Sequence, residues 1–172
     1  EAVYCQAELD PAEQSVETKV ESRLWKHHIR FECCWQSTLF HIEDLPFPLS
    51  NLPKVFTDFR KASENLVKVR EAFPTPEHVM FPYGLSLPDL PLVDVETLSV
   101  QEDDFYVGGE SNGLKRLQYY LWESDLLQNY KETRNGLLGE DYSSKFSPWL
   151  ALGCLSPRRI FYEVKNYELN RV

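Results

Sequence analysis

Residues 141–158 read DYSSKFSPWLALGCLSPR, with three serines and a lysine just ahead of an apolar run. Serine contributes little to a core, so a cluster of three needs another reason. Helix capping supplies part of it. Ser147–Pro148 pairs an N-cap residue with proline at the first helical position, Gly153 stands as the C′ stop, and Ser156–Pro157 repeats the device. Capping does not account for Ser143, Ser144 and Lys145 together. A helix start leaves N–H groups unpaired and carries partial positive charge, so hydroxyls and an ammonium gathered there also make a seat for an anion, phosphate above all. Tyr130, upstream past YKETRNGLLGE, offers a further hydroxyl or a flat face.

Outward from this stretch the pattern is helical. From Glu110 onward, Leu114, Leu117 and Leu121 recur at i, i+3, i+7 and Trp122 extends their face, while Ile160, Phe161 and Val164 continue the helix opened by Ser156–Pro157. Residues 73–108 differ. They hold five prolines and no periodicity, and a connection that long inside one compact domain is uncommon. The expectation is an interdomain linker over 73–108, an α/β region over 1–72 ahead of it and a helical region over 109–172 behind it.

The front region reads as strand, helix, strand, helix. EAVYCQAE is strand-like, Val16, Val20, Leu24 and His27 form a stripe on a first helix, and IRFECCW is a second strand. Pro53 is placed in the first turn of a second helix, whose Val55, Phe59, Ala62 and Leu66 predict a buried face. Such alternation is the signature of an α/β domain, here too short for a complete doubly wound sheet. The pattern opens in mid-strand and stops after NYELNRV without a terminating signal, so the chain is expected to be incomplete at both ends.

Charge separates the two regions as well. From Gly109 onward nine Lys/Arg face eight Asp/Glu, whereas the preceding part has nine against nineteen. An overall net charge of −9 argues against indiscriminate polyanion binding, although a local basic face could still hold phosphates. No apolar run approaches the ~20 residues that cross a bilayer. The four cysteines, Cys5, Cys33, Cys34 and Cys154, have neither disulfide-ladder nor zinc spacing and are expected to be buried reduced thiols, with Cys33 and Cys34 on opposite strand faces. His27, His28, His41 and His78 lack ligand spacing, so no metal is expected, and an intracellular compartment fits.

The stretch GGESNGLKRLQYYLWESDLLQNYKETRNGLLGEDYSSKFSPWLALGCLSPRRIFYEVKNYE resembles the opening of the flavin-binding helical domain of the cryptochrome/photolyase family. YKETRNG followed by DYSSKFSPWLALGCLSPR is most similar to the cryptochrome DASH branch. Upstream, CCWQSTLFHIEDLPF resembles that branch's Trp-x-Ser-Thr-Leu-Tyr-His-x-Asp-Asp-Leu-Pro-Phe segment, departing at Phe40 and Glu43.

The resemblance implies a Rossmann-like α/β antenna domain, seen here in part, followed by the start of an all-α FAD-binding domain. It assigns an FAD contact to Tyr130 and the FAD pyrophosphate to Ser143, Ser144, Lys145, Phe146 and Ser147. Ser143 stands where many relatives carry threonine, which keeps the hydroxyl, and Phe146 replaces a common leucine. Glu8 matches an antenna-pterin contact, the antenna expected being a methenyl-folate, and its other reading is an ordinary exposed carboxylate. Arg134, one helical turn beyond Tyr130, matches a position near DNA phosphates and reads equally as a solvated surface arginine. The implied reaction is a light-driven electron transfer from reduced FAD that splits a cyclobutane pyrimidine dimer, favouring single-stranded DNA because an unpaired dimer leaves the stack more cheaply. The implied alternative is a blue-light receptor that signals through a partner without repair. No residue of this chain inherits a catalytic role, and Trp122 and Trp149 are expected to pack helices.

Overall fold

The structure is a computed structural model that describes residues 2–36, 38–80, 84 and 105–171. Most of the expected linker, residues 81–83 and 85–104, therefore lies outside the described residues. The chain divides into two compact units, residues 1–71 and 72–172.

The first unit is built on a parallel strand pair with a helical crossover. Strand β1 (Ala2–Gln6) leads through helix α1 (Pro11–Trp25) to strand β2 (Arg30–Cys34), with Ala2 opposite Arg30 and Gln6 opposite Cys34. Parallel neighbours need such a crossover, so the strand–helix–strand reading has its physical counterpart here. Asp10 caps α1 by accepting from the Ala12 N–H at 2.8 Å, and Pro11 opens the helix where its missing N–H is not needed. Helix α2 (Phe56–Leu66) follows two short 3₁₀ turns.

Burial in this unit departs from expectation. Val16 and Val20 are exposed, and His27 lies beyond α1 in the turn that closes it, donating its N–H to the Leu24 carbonyl. A sheet two strands wide does not cover a helix's whole apolar stripe. Helix α2 starts at Phe56, so Pro53 precedes it; Leu52, next to the proline, is held extended at ψ 135°. Of the predicted face only the middle is covered: Phe59 meets Phe47 at 5.6 Å, while Val55 and Leu66 are exposed. Cys33 and Cys34 are exposed rather than buried, for the same reason of sheet width. Cys5 and Cys33 face each other across the register with sulfurs 3.4 Å apart. Desolvation, then the hydrogen bond with Cys5, pushes the Cys33 thiol up to about 11.

The second unit holds the main core. Helix α3 (Glu110–Gln118) runs into a π-helical turn over Tyr119–Glu123, closed by the Ser124 N–H on the Tyr119 carbonyl at 2.9 Å. Short helices α4 (Tyr130–Thr133) and α5 (Ser147–Ala151) lead to α6 (Pro157–Arg171). Leu117, Tyr120, Leu121, Phe146, Trp149, Leu155 and Tyr167 form one buried cluster. Trp149 and Trp122 pack helices as expected: Trp149 is buried, and Trp122 meets the Tyr167 ring at 5.6 Å. Of Phe105, Tyr106 and Val107, read from sequence as the end of the linker, Phe105 packs against this core, while Tyr106 and Val107 have exposed side chains yet still touch Trp149. Both rings pack on Trp149, and the Trp149 indole N–H donates to the Val107 carbonyl at 2.9 Å.

The stop at Gly153 is a Schellman turn. Gly153 has φ +68°, its N–H reaches the Leu150 carbonyl at 3.2 Å, and the Cys154 N–H reaches the Trp149 carbonyl at 2.7 Å. At the C-terminal end, Asp125 gathers α6. The Tyr167 hydroxyl donates to one carboxylate oxygen, and Arg171 and Gln128 reach the other at 3.1 and 2.6 Å.

Gly113 has no room to grow: a Cβ there would lie 2.8 Å from Leu155 Cγ and 3.2 Å from Trp149 Cδ1. Alanine would gain ~1 kcal/mol of helix propensity but overpack the core at a cost of ~1–3 kcal/mol. Gly113→Ala is therefore expected to lower stability by about 1 kcal/mol, read as a fall in the thermal midpoint. An unchanged or raised midpoint would show that Leu155 gives way freely.

Candidate functional site

The serine loop is shaped from beneath by an arginine that the sequence reading passes over. Arg116 is buried on α3, only 6 % exposed. Its Nε donates to the Ser144 carbonyl at 3.2 Å, and its Nη2 to the Glu140 and Ser143 carbonyls at 2.8 and 3.2 Å. Nη1 meets the Asp141 carboxylate at 3.5 Å. The guanidinium also lies 4.9–5.5 Å from the ring centres of Phe105, Tyr119 and Tyr120. A buried charge persists only when its donors are met, and here three carbonyls, one carboxylate and three aromatic faces meet them. The Tyr119 hydroxyl donates to the same Asp141 at 3.2 Å, fixing the loop from a second point.

A signal for Arg116 is present in the sequence. It lies three residues after Gly113 and four before Tyr120, on the buried face of α3 rather than its solvated one.

Ser143 and Ser144 are half-buried and Ser147 is exposed, and among the described residues their hydroxyls have no hydrogen-bond partner. The N–H groups of Ser144, Lys145, Phe146 and Ser147 are equally without one. Lys145 adopts φ +61° and Phe146 follows at φ −75°, ψ −13°. A left-handed residue beside a right-handed one turns successive N–H groups toward one side, the concavity that binds anions. The Lys145 ammonium rests on Tyr142, 3.7 Å from its ring centre and in contact with its hydroxyl. Phe146 is a core residue, edge-on to Tyr120 at 5.8 Å, so the loop offers its backbone and not its ring.

One expectation is corrected here. Ser147 does not cap α5, because the helix begins at Ser147 itself and has no side-chain cap bond. With only five residues, α5 also contributes little dipole. An anion at this loop would rest on the loop's own N–H and hydroxyl groups. Ser156 does stand where a cap belongs, its carbonyl accepting the Ile160 N–H at 3.1 Å.

Nearby, the Tyr120 hydroxyl is buried with no partner among the described residues, and burial followed by the neighbouring Tyr130 phenol holds its pKa above the ordinary value. Tyr130 opens α4 with its side chain partly exposed, and Arg134 donates its N–H to the Tyr130 carbonyl at 2.9 Å. The exposed Arg134 guanidinium has no ion pair among the described residues. Glu8 belongs to the first unit, where its carboxylate accepts from Gln6 at 3.0 Å and its N–H donates to Glu17 at 2.9 Å. The loop's free donors fit the oxygens of a dinucleotide's diphosphate, which need hydrogen-bond donors and no acid or base. Among the described residues no group of three or more His, Cys, Asp or Glu could hold a metal.

The geometry has close counterparts. The DNA photolyase family pattern matches residues 1–77. Cryptochrome DASH of Danio rerio is 43% identical over 95% of the chain and 33% of its own length, and that of Natronomonas pharaonis is 46% identical over 100% of the chain and 37% of its own. The chain belongs to the cryptochrome/photolyase family. Among solved structures, the Synechocystis sp. PCC6803 cryptochrome superposes with a TM-score of 0.79 at 44% identity, covering 99% of the chain and 36% of that structure. A class III photolyase from Agrobacterium tumefaciens reaches 0.78 at 18% identity, again over 99% of the chain and 36% of its own, a likeness of fold alone. The chain spans about a third of the length of these relatives. Within the cryptochrome/photolyase fold, the parallel strand pair belongs to the α/β part, and the helices that carry the serine loop follow it.

Proposed function

We propose that this chain supplies the diphosphate-holding side of an FAD site in a light-driven flavoprotein of the DASH type. The observation that carries the reading is the serine loop, where three hydroxyls and four successive N–H groups have no partner among the described residues and surround a positive-φ lysine. Ser143, Ser144 and Ser147 would donate to phosphate oxygens, the N–H groups of residues 144–147 would line the same side, and Tyr130 would lie against the bound cofactor. Lys145 would leave Tyr142 to offset the diphosphate charge.

When bound and reduced, FAD supplies a photoexcited electron donor for splitting a cyclobutane pyrimidine dimer. The chain's residues supply binding and orientation. Arg134 would hold a DNA phosphate, for which an exposed guanidinium without a competing ion pair is suited. Single-stranded substrate would be favoured, because a dimer freed from pairing is cheaper to take out of the stack. The antenna would be a methenyl-folate contacted by Glu8. The compartment would be intracellular, in keeping with four free thiols; one relative from Arabidopsis thaliana is named chloroplastic/mitochondrial. Among the described residues no helix is long and apolar enough to cross a membrane.

The test is a light-dependent repair assay on dimer-containing single-stranded oligonucleotides, using a flavin-loaded protein of the relatives' full length that carries these residues. Repair in the light and none in the dark is expected. Arg134→Ala should weaken DNA binding and reduce the salt dependence by about one phosphate contact, with flavin content unchanged. Failure to repair, with light-dependent flavin chemistry intact, would favour the blue-light receptor. An unaltered salt slope would return Arg134 to the surface.

A further inference from the structure

We propose that Arg116 is a positioning residue for the diphosphate seat, acting from beneath the loop without touching the ligand. This rests on the reading of the serine loop as an anion seat. The inference starts from the planarity of the peptide bond. In a trans peptide the C=O and the following N–H point in opposite directions, and the described residues contain no cis peptide. Arg116 draws the Ser143 and Ser144 carbonyls to its guanidinium at 3.2 Å each, which turns the N–H groups of Ser144 and Lys145 away from it. The Glu140 carbonyl, at 2.8 Å, anchors the start of the loop in the same way. The fork of a guanidinium reaches several carbonyls at once in a fixed plane, which a lysine ammonium cannot reproduce.

The guanidinium is itself held in place. Phe105, Tyr119 and Tyr120 surround it, and Asp141 ties it to the loop's own start. Tyr120 also packs on Phe146, so the aromatic wall around Arg116 continues to the residue that ends the concavity. A loop held at both ends by the core keeps its donors converged before the ligand arrives. Binding then loses less entropy than it would with a mobile loop. Arg116 thereby acts on affinity through loop order, although its charge is hidden from the ligand.

The experiment compares the chain with its Arg116→Ala and Arg116→Lys variants by two readouts, ¹⁵N relaxation order parameters of the backbone amides and calorimetric titration with inorganic pyrophosphate. In Arg116→Ala, order parameters at residues 141–147 are expected to fall below about 0.6, the range of a flexible segment, while Leu121 and Tyr167 stay near the rigid-backbone value of about 0.85, and pyrophosphate affinity falls by about tenfold or more. Arg116→Lys keeps the charge without the fork and should recover only a minor part of either. Unchanged pyrophosphate affinity in Arg116→Ala, or loop order parameters equal to those of the unaltered chain, would overturn the role given to Arg116 and leave the seat standing. No pyrophosphate binding by the unaltered chain would instead overturn the seat, and the role of Arg116 with it. If Arg116→Ala loses order in the core as well, Arg116→Lys decides: a loss of order confined to the loop with weakened affinity supports the proposal, and wild-type loop order and affinity contradict it.

Discussion

Replacing Ser143 and Ser144 together with alanine is expected to weaken FAD binding by two to four orders of magnitude. Hydrogen bonds to a charged group contribute ~1.5–3 kcal/mol each, and two are removed. At about 1.4 kcal/mol per factor of ten, that range gives the stated loss. The fold should tolerate the change, because neither hydroxyl has an internal partner among the described residues and both side chains are only half-buried. Flavin retained after gel filtration, in a protein of the relatives' full length carrying this loop, is the direct readout. Full occupancy in the double variant would contradict the seat. A loss of occupancy accompanied by unfolding would point to a structural role instead.

Trp149→Ala is expected to be the most damaging single change to the fold. The side chain is 3 % exposed, sits in the one core cluster described for its unit, and carries the Phe105 and Tyr106 rings and the Val107 carbonyl. Truncating a buried tryptophan costs ~3–5 kcal/mol, and the Val107 carbonyl loses its donor as well. Domains of ordinary size have only ~5–15 kcal/mol in total, so the helical unit should lose most of its stability margin. The expected result is loss of near-ultraviolet circular dichroism together with flavin binding. Trp149→Phe, which keeps the ring packing and forfeits the N–H, should retain the fold. A cooperative melt within a few degrees of the unaltered chain for Trp149→Ala would contradict this account of the core.

The parts of the structure set by local rules were legible in the sequence. Strand composition on either side of a helical stripe gives the parallel pair β1 and β2, and Gly153 gives a helix stop because its left-handed turn satisfies the last carbonyls of α5. The positions of Leu117 and Leu121 on a buried face follow from helical periodicity, even though the turn after Gln118 widens to a π turn. Misreadings occur where partners decide. Val16, Val20, Val55 and Leu66 have the spacing of buried faces, yet the first unit holds too little sheet to cover them. Ser147 and Pro148 have the composition of a cap, but the chain enters α5 already in helical conformation at Phe146 and leaves the hydroxyl free. Arg116 is the deepest omission. A charged residue in a helix usually faces solvent, and only its place between Gly113 and Tyr120 marks it as buried. What it binds, the carbonyls of a loop some two dozen residues onward, is set by tertiary contact and left no local trace.

The central claim is that the serine loop is where FAD's diphosphate sits, and titration of the ¹⁵N-labelled chain with FAD, followed by amide chemical shifts, tests it most directly. Affinity should be modest, because the chain spans about a third of its relatives and a pocket needs preorganised contacts on all sides. The predicted result is saturable displacement of the Ser144, Lys145, Phe146 and Ser147 amides, with α1 and β2 unmoved. Saturable shifts elsewhere that leave residues 143–147 in place, or none at all at millimolar FAD, would contradict it.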